Sequence, residues 1–83
     1  MSQDTLYLDV RTREEHAEER IEPSVNIPVD ELSGRLAALG PRSRPIVVYC
    51  RSGRRSAIAL DILRSGGFMN VRDVGSIYNV RAA

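Results

Sequence analysis

Hydrophobic positions along this chain fall into short blocks that alternate between strand-like runs and helix-like spacing. Residues 5–10 (Thr5-Leu6-Tyr7-Leu8-Asp9-Val10) make an apolar block of the length of one short buried strand. Thr12 follows as an N-cap, with Glu14 and Glu15 in the first turn of a short acidic helix and Arg20 near its end. Pro23 stops that helix, and Val25-Asn26-Ile27-Pro28 reads as a second short strand. Val29, Leu32, Leu36 and Leu39 then recur at spacings of 3, 4 and 3, which predicts a helix capped by Asp30 and ended by Gly40-Pro41. The unbroken, mostly β-branched run Ile46-Val47-Val48-Tyr49 is the clearest strand. A helix over residues 55–64 is expected to pack through Ile58, Ile62 and Leu63, with Gly66-Gly67 terminating it. Val71-Arg72-Asp73-Val74 is a last strand, and residues 75–83 carry no clear pattern.

Strands that alternate with helices pair in parallel, because the crossover between them needs the length of a helix. The expectation is an α/β fold: a small open parallel sheet of about four strands with helices on both faces. Ligands in such sheets sit beyond the carboxyl ends of the strands. Asp9 and Cys50 both end strands, so they should share one rim. No repeat, low-complexity tract or linker interrupts residues 1–83, which read as a single domain.

Composition narrows the picture only slightly. A chain of 83 residues buries roughly 60% of the surface its unfolded form exposes, so its stability margin is modest. No apolar stretch approaches the ~20 residues that span a membrane. The start, Met1-Ser2-Gln3-Asp4-Thr5, has neither a basic region nor an apolar core, so no secretory signal is read there and a cytoplasmic location is expected. A periplasmic chain whose leader had been removed would look the same. A net charge of +1 gives no argument for nucleic acid as a partner. One cysteine rules out an internal disulfide and a cysteine-only metal site, and His16 as the lone histidine leaves zinc without a ligand set. Neither cofactor nor metal is expected.

The chemistry concentrates at Cys50. All twelve basic residues are arginine, and Arg51, Arg54 and Arg55 lie within five positions of the cysteine. Strand, glycine-containing loop and helix follow one another, so the loop N–H groups of residues 51–56 and the helix N-terminus converge on the sulfur. Such surroundings favour the thiolate, the form that reacts. Arginine side chains add planar, permanently charged donors suited to an oxyanion, with Arg51 the first choice as an anion contact. The plainer reading, an inert buried cysteine, is the usual fate of a lone thiol, but it leaves the glycine and the arginines without a purpose. Ser56 serves equally as a hydrogen bonder at the helix start or as a contact for the sulfur.

The segment Cys50-Arg51-Ser52-Gly53-Arg54-Arg55-Ser56 resembles the active-site loop of single-domain rhodaneses, the thiosulfate sulfurtransferases. Asp9-Val10-Arg11-Thr12-Arg13-Glu14-Glu15 is similar to that family's other signature, D-V-R-x-x-x-E followed by tyrosine or phenylalanine, with His16 in the aromatic place. Residues 21–28 and 70–75 occupy the places of further family stretches. The resemblance implies a sheet ordered last strand, Cys50 strand, Asp9 strand, Val25 strand. It also implies Cys50 as a nucleophile that carries a persulfide, Arg51, Ser52, Gly53, Arg54, Arg55 and Ser56 as the substrate cradle, and Asp9 and Arg11 as supporting residues. Asp9 is expected to hold Arg11 and not to act in the chemistry. Thiosulfate would be the donor and cyanide or a thiol the acceptor, with the chain acting as a monomer.

Loop length separates this reading from cysteine phosphatases and arsenate reductases. Their C-x5-R loop would place arginine at position 56, where this chain has Ser56, with Arg55 one place early. The shorter loop predicts a cradle for one sulfur atom. A non-catalytic sulfur carrier or interaction module is the other competing class. Departures from the family pattern are Glu19-Arg20 for Gly-His, Glu22-Pro23 for Pro-Gly, Val74-Gly75-Ser76 for a double glycine, and Val80 for tryptophan. The family's short first strand also has no counterpart, which leaves a sheet edge open to a partner.

Overall fold

A computed structural model describes residues 5–82. The reading of Met1-Ser2-Gln3-Asp4 lies outside the described residues. The elements run β1 (Leu6–Asp9), α1 (Arg13–Glu18), β2 (Val25–Asn26), α2 (Val29–Leu32), a 3-10 turn (Leu36–Leu39), β3 (Ile46–Cys50), α3 (Arg54–Ser65), β4 (Val71–Ser76) and α4 (Ile77–Ala82). The four strands form one sheet in the order β2-β1-β3-β4, as the resemblance implied. Every pair is parallel, with Leu8 opposite Val25 and Leu6 opposite Ile46.

Alternation along the strands divides the sheet into two unlike faces. Leu6, Leu8, Ile46, Val48 and Cys50 point to one side, where they pack with Leu32, Ala59 and Leu63 of α2 and α3 in the main core. Tyr7 and Val47 point to the other side and are only half-buried. There they line a cavity of about 500 Å3 together with Ile21, Val74 and Val80 of α4. Helices therefore cover both faces, one more fully than the other.

Several local expectations need correction. The helix after Thr12 ends at Glu18, well before Pro23, and Arg20 lies outside it in an ion pair with Glu22. The Glu19 carbonyl is taken by the Arg11 guanidinium at 2.5 Å, which turns the chain out of the helix. The 29–39 segment is not one helix. Gly34 and Arg35 donate to the carbonyls of Glu31 and Leu32, and these tighter bonds break the segment into α2 and a 3-10 turn. Asp30 sits inside the first turn of α2, whose N-cap is Pro28. The four apolar residues still reach the core, Leu32 and Leu39 fully and Val29 and Leu36 partly. Along α3 the buried stripe is Ser56, Ala59 and Leu63, while Ile58 is half exposed. The end of β4 runs on to Ser76, and Ser76 Oγ accepts the Tyr78 N–H at 3.1 Å as α4 begins.

The register between β3 and β4 shifts by one residue beyond Val48. Asp73 faces Val48, but Gly75 faces Tyr49. Val74 is the extra residue of a bulge next to the rim, a position where bulges re-aim the chain. Asp73 Oδ1 accepts the Gly75 N–H at 2.9 Å and holds the turn. Among the described residues no helix is long and apolar enough to cross a membrane.

Candidate functional site

Cys50 is the last residue of β3, and its side chain is fully buried. The loop after it turns through Gly53, the N-cap of α3, whose φ of 102° lies in the left-handed region. A Cβ at Gly53 would stand 3.5 Å from Gly75 Cα, and Gly75 itself has φ of 80°. A side chain at Gly53 would thus meet the bulged end of β4 at van der Waals distance.

Gly53 N–H lies 3.0 Å from Cys50 Sγ, and Ser56 N–H lies 3.4 Å from it. The Ser56 hydroxyl also donates to the Gly53 carbonyl at 3.1 Å, so its single proton serves either that oxygen or the sulfur. Burial pushes the Cys50 thiol up, but hydrogen bonds from the backbone and hydroxyl of Ser56 and from the N–H groups of Gly53 and Ser52 outweigh it. The net shift is downward, toward the thiolate. The α3 N-terminus contributes its dipole at the same place.

Asp9 and Arg11 stand beside this cradle as a buried pair. Asp9 Oδ1 accepts the Arg11 backbone N–H and Nε, each at 2.9 Å, and Oδ2 accepts Nη2 at 2.7 Å. Arg11 Nη2 goes on to the Glu19 carbonyl, and Asn26 Nδ2 donates to the carbonyls of Asp9 and Arg11, both at 3.0 Å. The end of β1, the end of α1 and β2 are tied at one knot. Among the described residues no hydrogen bond joins Asp9 to the sulfur, and its carboxylate is bonded to Arg11.

The three loop arginines separate into two groups. Arg51 and Arg54 are exposed, and neither has an ion pair or hydrogen bond among the described residues. Arg55 is half-buried and donates from Nη1 to Glu15 Oε1 at 2.7 Å and from Nη2 to Glu15 Oε2 at 3.0 Å. The sequence reading placed Glu15 in the first turn of α1 and in the family signature, but did not name it as a residue of the site. Its signal was present, because Thr12-x-x-Glu15 is a capping box: Glu15 N–H donates to Thr12 Oγ1 at 3.1 Å and Glu15 Oε1 accepts the Thr12 N–H at 2.8 Å. The Arg55 guanidinium first, and the Thr12 bonds with it, pull the Glu15 carboxyl down to about 2 against the opposing effect of burial.

Tyr49, just before the cysteine, is wholly enclosed. Burial pushes its phenol up to about 12, with Ser24 partly opposing, although no bond of ordinary length reaches its hydroxyl. The enclosed phenol therefore keeps its proton at physiological pH. His16 bonds Ser24 through Nε2 at 3.0 Å and belongs to the packing of α1 against the loop before β2. Among the described residues no cluster of His, Cys, Asp and Glu is arranged to hold a metal ion. A polar cleft of about 170 Å3 runs along the rim between Arg11, Glu15, Arg51 and Tyr78, whereas the larger cavity touches none of the loop residues.

Known proteins resemble this chain in sequence and fold. Thiosulfate sulfurtransferase PspE of Escherichia coli is 32% identical over 75 residues, covering 89% of this chain and 72% of that protein. A thiosulfate:glutathione sulfurtransferase of Homo sapiens is 34% identical over 83 residues, covering 84% of this chain and 72% of the human one. In structure, a rhodanese with anions from E. coli superposes with a TM-score of 0.84 at 32% identity, over 90% of this chain and 89% of that one. The human single-domain sulfurtransferase TSTD1 gives 0.83 at 29% identity, over 95% and 82%. The sequence profile of the Rhodanese-like domain matches residues 1–82, and the chain belongs to that family.

Proposed function

We propose that the chain is a thiosulfate:acceptor sulfurtransferase in which Cys50 carries the transferred sulfur. The observation that carries this reading is the fit of the cradle: Gly53 and Ser56 N–H groups stand 3.0 and 3.4 Å from Sγ itself. Backbone donors aimed at the sulfur suit a group that must carry negative charge on sulfur. The names of its relatives, thiosulfate sulfurtransferase and thiosulfate:glutathione sulfurtransferase, support the same reading.

In the first half-reaction the Cys50 thiolate attacks the outer sulfur of thiosulfate. A new S–S bond forms, the S–S bond of thiosulfate breaks, and sulfite leaves with the electron pair. The product is an anionic persulfide on Cys50, held by the inward N–H groups of Ser52, Gly53 and Ser56. In the second, cyanide or a thiolate attacks the outer sulfur, giving thiocyanate or a persulfide of the acceptor and restoring the Cys50 thiolate. No general base is needed. Arg51 and Arg54, exposed and without an ion pair or hydrogen bond among the described residues, receive the oxyanion end of the donor. Residues 1–83 act as one domain and as a monomer, in a reducing compartment such as the cytoplasm that keeps the lone thiol free.

Incubation with thiosulfate followed by intact-mass measurement tests the reading. One added sulfur atom is expected on the protein, and none on Cys50→Ser. No gain, or a gain that survives the substitution, overturns it.

A further inference from the structure

Of the three loop arginines, Arg55 alone has a partner among the described residues. Both of its terminal nitrogens are bonded to both oxygens of Glu15, at 2.7 and 3.0 Å. That carboxylate cannot swing away, because Oε1 also accepts the Thr12 N–H at 2.8 Å and the Thr12 hydroxyl at 3.1 Å. The pair is partly shielded, with side chains 30% and 19% exposed, so water screens it only in part. Arg55 directly precedes Ser56, whose N–H reaches the sulfur, and its charge is felt by Cys50. A free guanidinium there would offer a forked clamp for a tetrahedral oxyanion. Paired, both of its terminal nitrogens are engaged by Glu15 and its charge is offset locally.

We propose that Glu15 is a specificity-determining positioning residue, which withholds Arg55 from the anion seat beside Cys50. The cradle then recognises the sulfur through backbone donors, while the oxyanion end is held only by Arg51 and Arg54. Weak retention of that end suits a leaving group that must depart before the acceptor enters. Its purpose rests on the sulfurtransferase reading, but its test does not require turnover.

Glu15→Gln is the informative variant, because glutamine still completes a capping box while the charge is gone. The probe is inorganic sulfate, and the readout is protection of Cys50 from alkylation by iodoacetamide at ionic strength held constant with chloride. Gaining one charge-assisted hydrogen-bonding group should lower the half-protecting sulfate concentration about tenfold. The gain should vanish in Glu15→Gln combined with Arg55→Gln. Unchanged protection in Glu15→Gln, or a gain that persists in the double variant, overturns the proposal. Should Glu15→Gln fail to fold, Glu15→Asp shortens the reach to Arg55 and should give a gain of about threefold, and no gain there is equally fatal. A protein that shows the sulfate gain but takes up no sulfur from thiosulfate would sink the sulfurtransferase reading and leave this one standing.

Discussion

Two carboxylate–guanidinium pairs flank the cysteine, and they differ in almost every physical respect. Asp9–Arg11 is local in sequence and nearly sealed, with side chains 0% and 5% exposed. Glu15–Arg55 joins residues 40 positions apart and remains partly wet. The first pair also satisfies the backbone N–H of Arg11 and the carbonyl of Glu19, so it acts as an internal knot. The second reaches from α1 to the first turn of α3 and sets which charges the cradle presents. A sealed pair mostly guards against its own disruption, since each charge alone would be costly in the interior. A half-exposed pair near a reactive group is free to be tuned.

The largest expected effect comes from breaking the sealed pair. Arg11→Met strands the Asp9 carboxylate and the Glu19 carbonyl, and should cost about 3–5 kcal/mol in urea unfolding. A loss below about 1 kcal/mol would mean that the knot is not structural. Next comes acid. The Glu15 carboxyl sits near 2 when folded, against an ordinary value of 4.5, so its contribution is complete above 4.5 and disappears as pH falls toward 2. At full strength it amounts to at most about 3 kcal/mol, and Glu15→Gln should flatten stability over that window. A profile with unchanged slope would remove Glu15 from the account.

A smaller effect reports on the cradle itself. Because the Cys50 thiol is shifted down, alkylation by iodoacetamide should reach its plateau below the pH typical of a free cysteine. Ser56→Ala removes one hydroxyl and keeps the N–H, so the midpoint should rise modestly; a midpoint that falls would contradict the cradle. The smallest effect belongs to the surface pair Arg13–Glu31, 62% and 36% exposed. Arg13→Gln should leave both stability and alkylation unchanged, which separates position near the cradle from mere ion pairing.

Much of the site was legible in the sequence because its determinants are local. A β-branched run ending in Cys50, a glycine three residues on and a helical spacing after it define strand, turn and helix N-terminus within one short segment. Thr12 announced α1 for the same reason. Less legible were features decided by packing. The 3, 4, 3 spacing of Val29, Leu32, Leu36 and Leu39 is equally compatible with a broken segment, and the break at Gly34 shows only in its short-range bonds. Ile58 seemed a core residue, yet the stripe that carries Ser56 to the sulfur turns Ala59 inward and Ile58 outward. The pairing of Arg55 with Glu15 was not legible either, because the two lie 40 residues apart, beyond any local pattern. The α4 helix buries Ile77 but leaves Tyr78 exposed, too little periodicity to be seen in advance.

The proximity of Gly53 to Gly75 also limits which residues either position can take. Both have positive φ, so a side chain at either would strain its own backbone, and at Gly53 it would also fill the space between loop and strand. Residue 75 carries no chemistry of its own, yet its identity is constrained by the loop it faces across the rim.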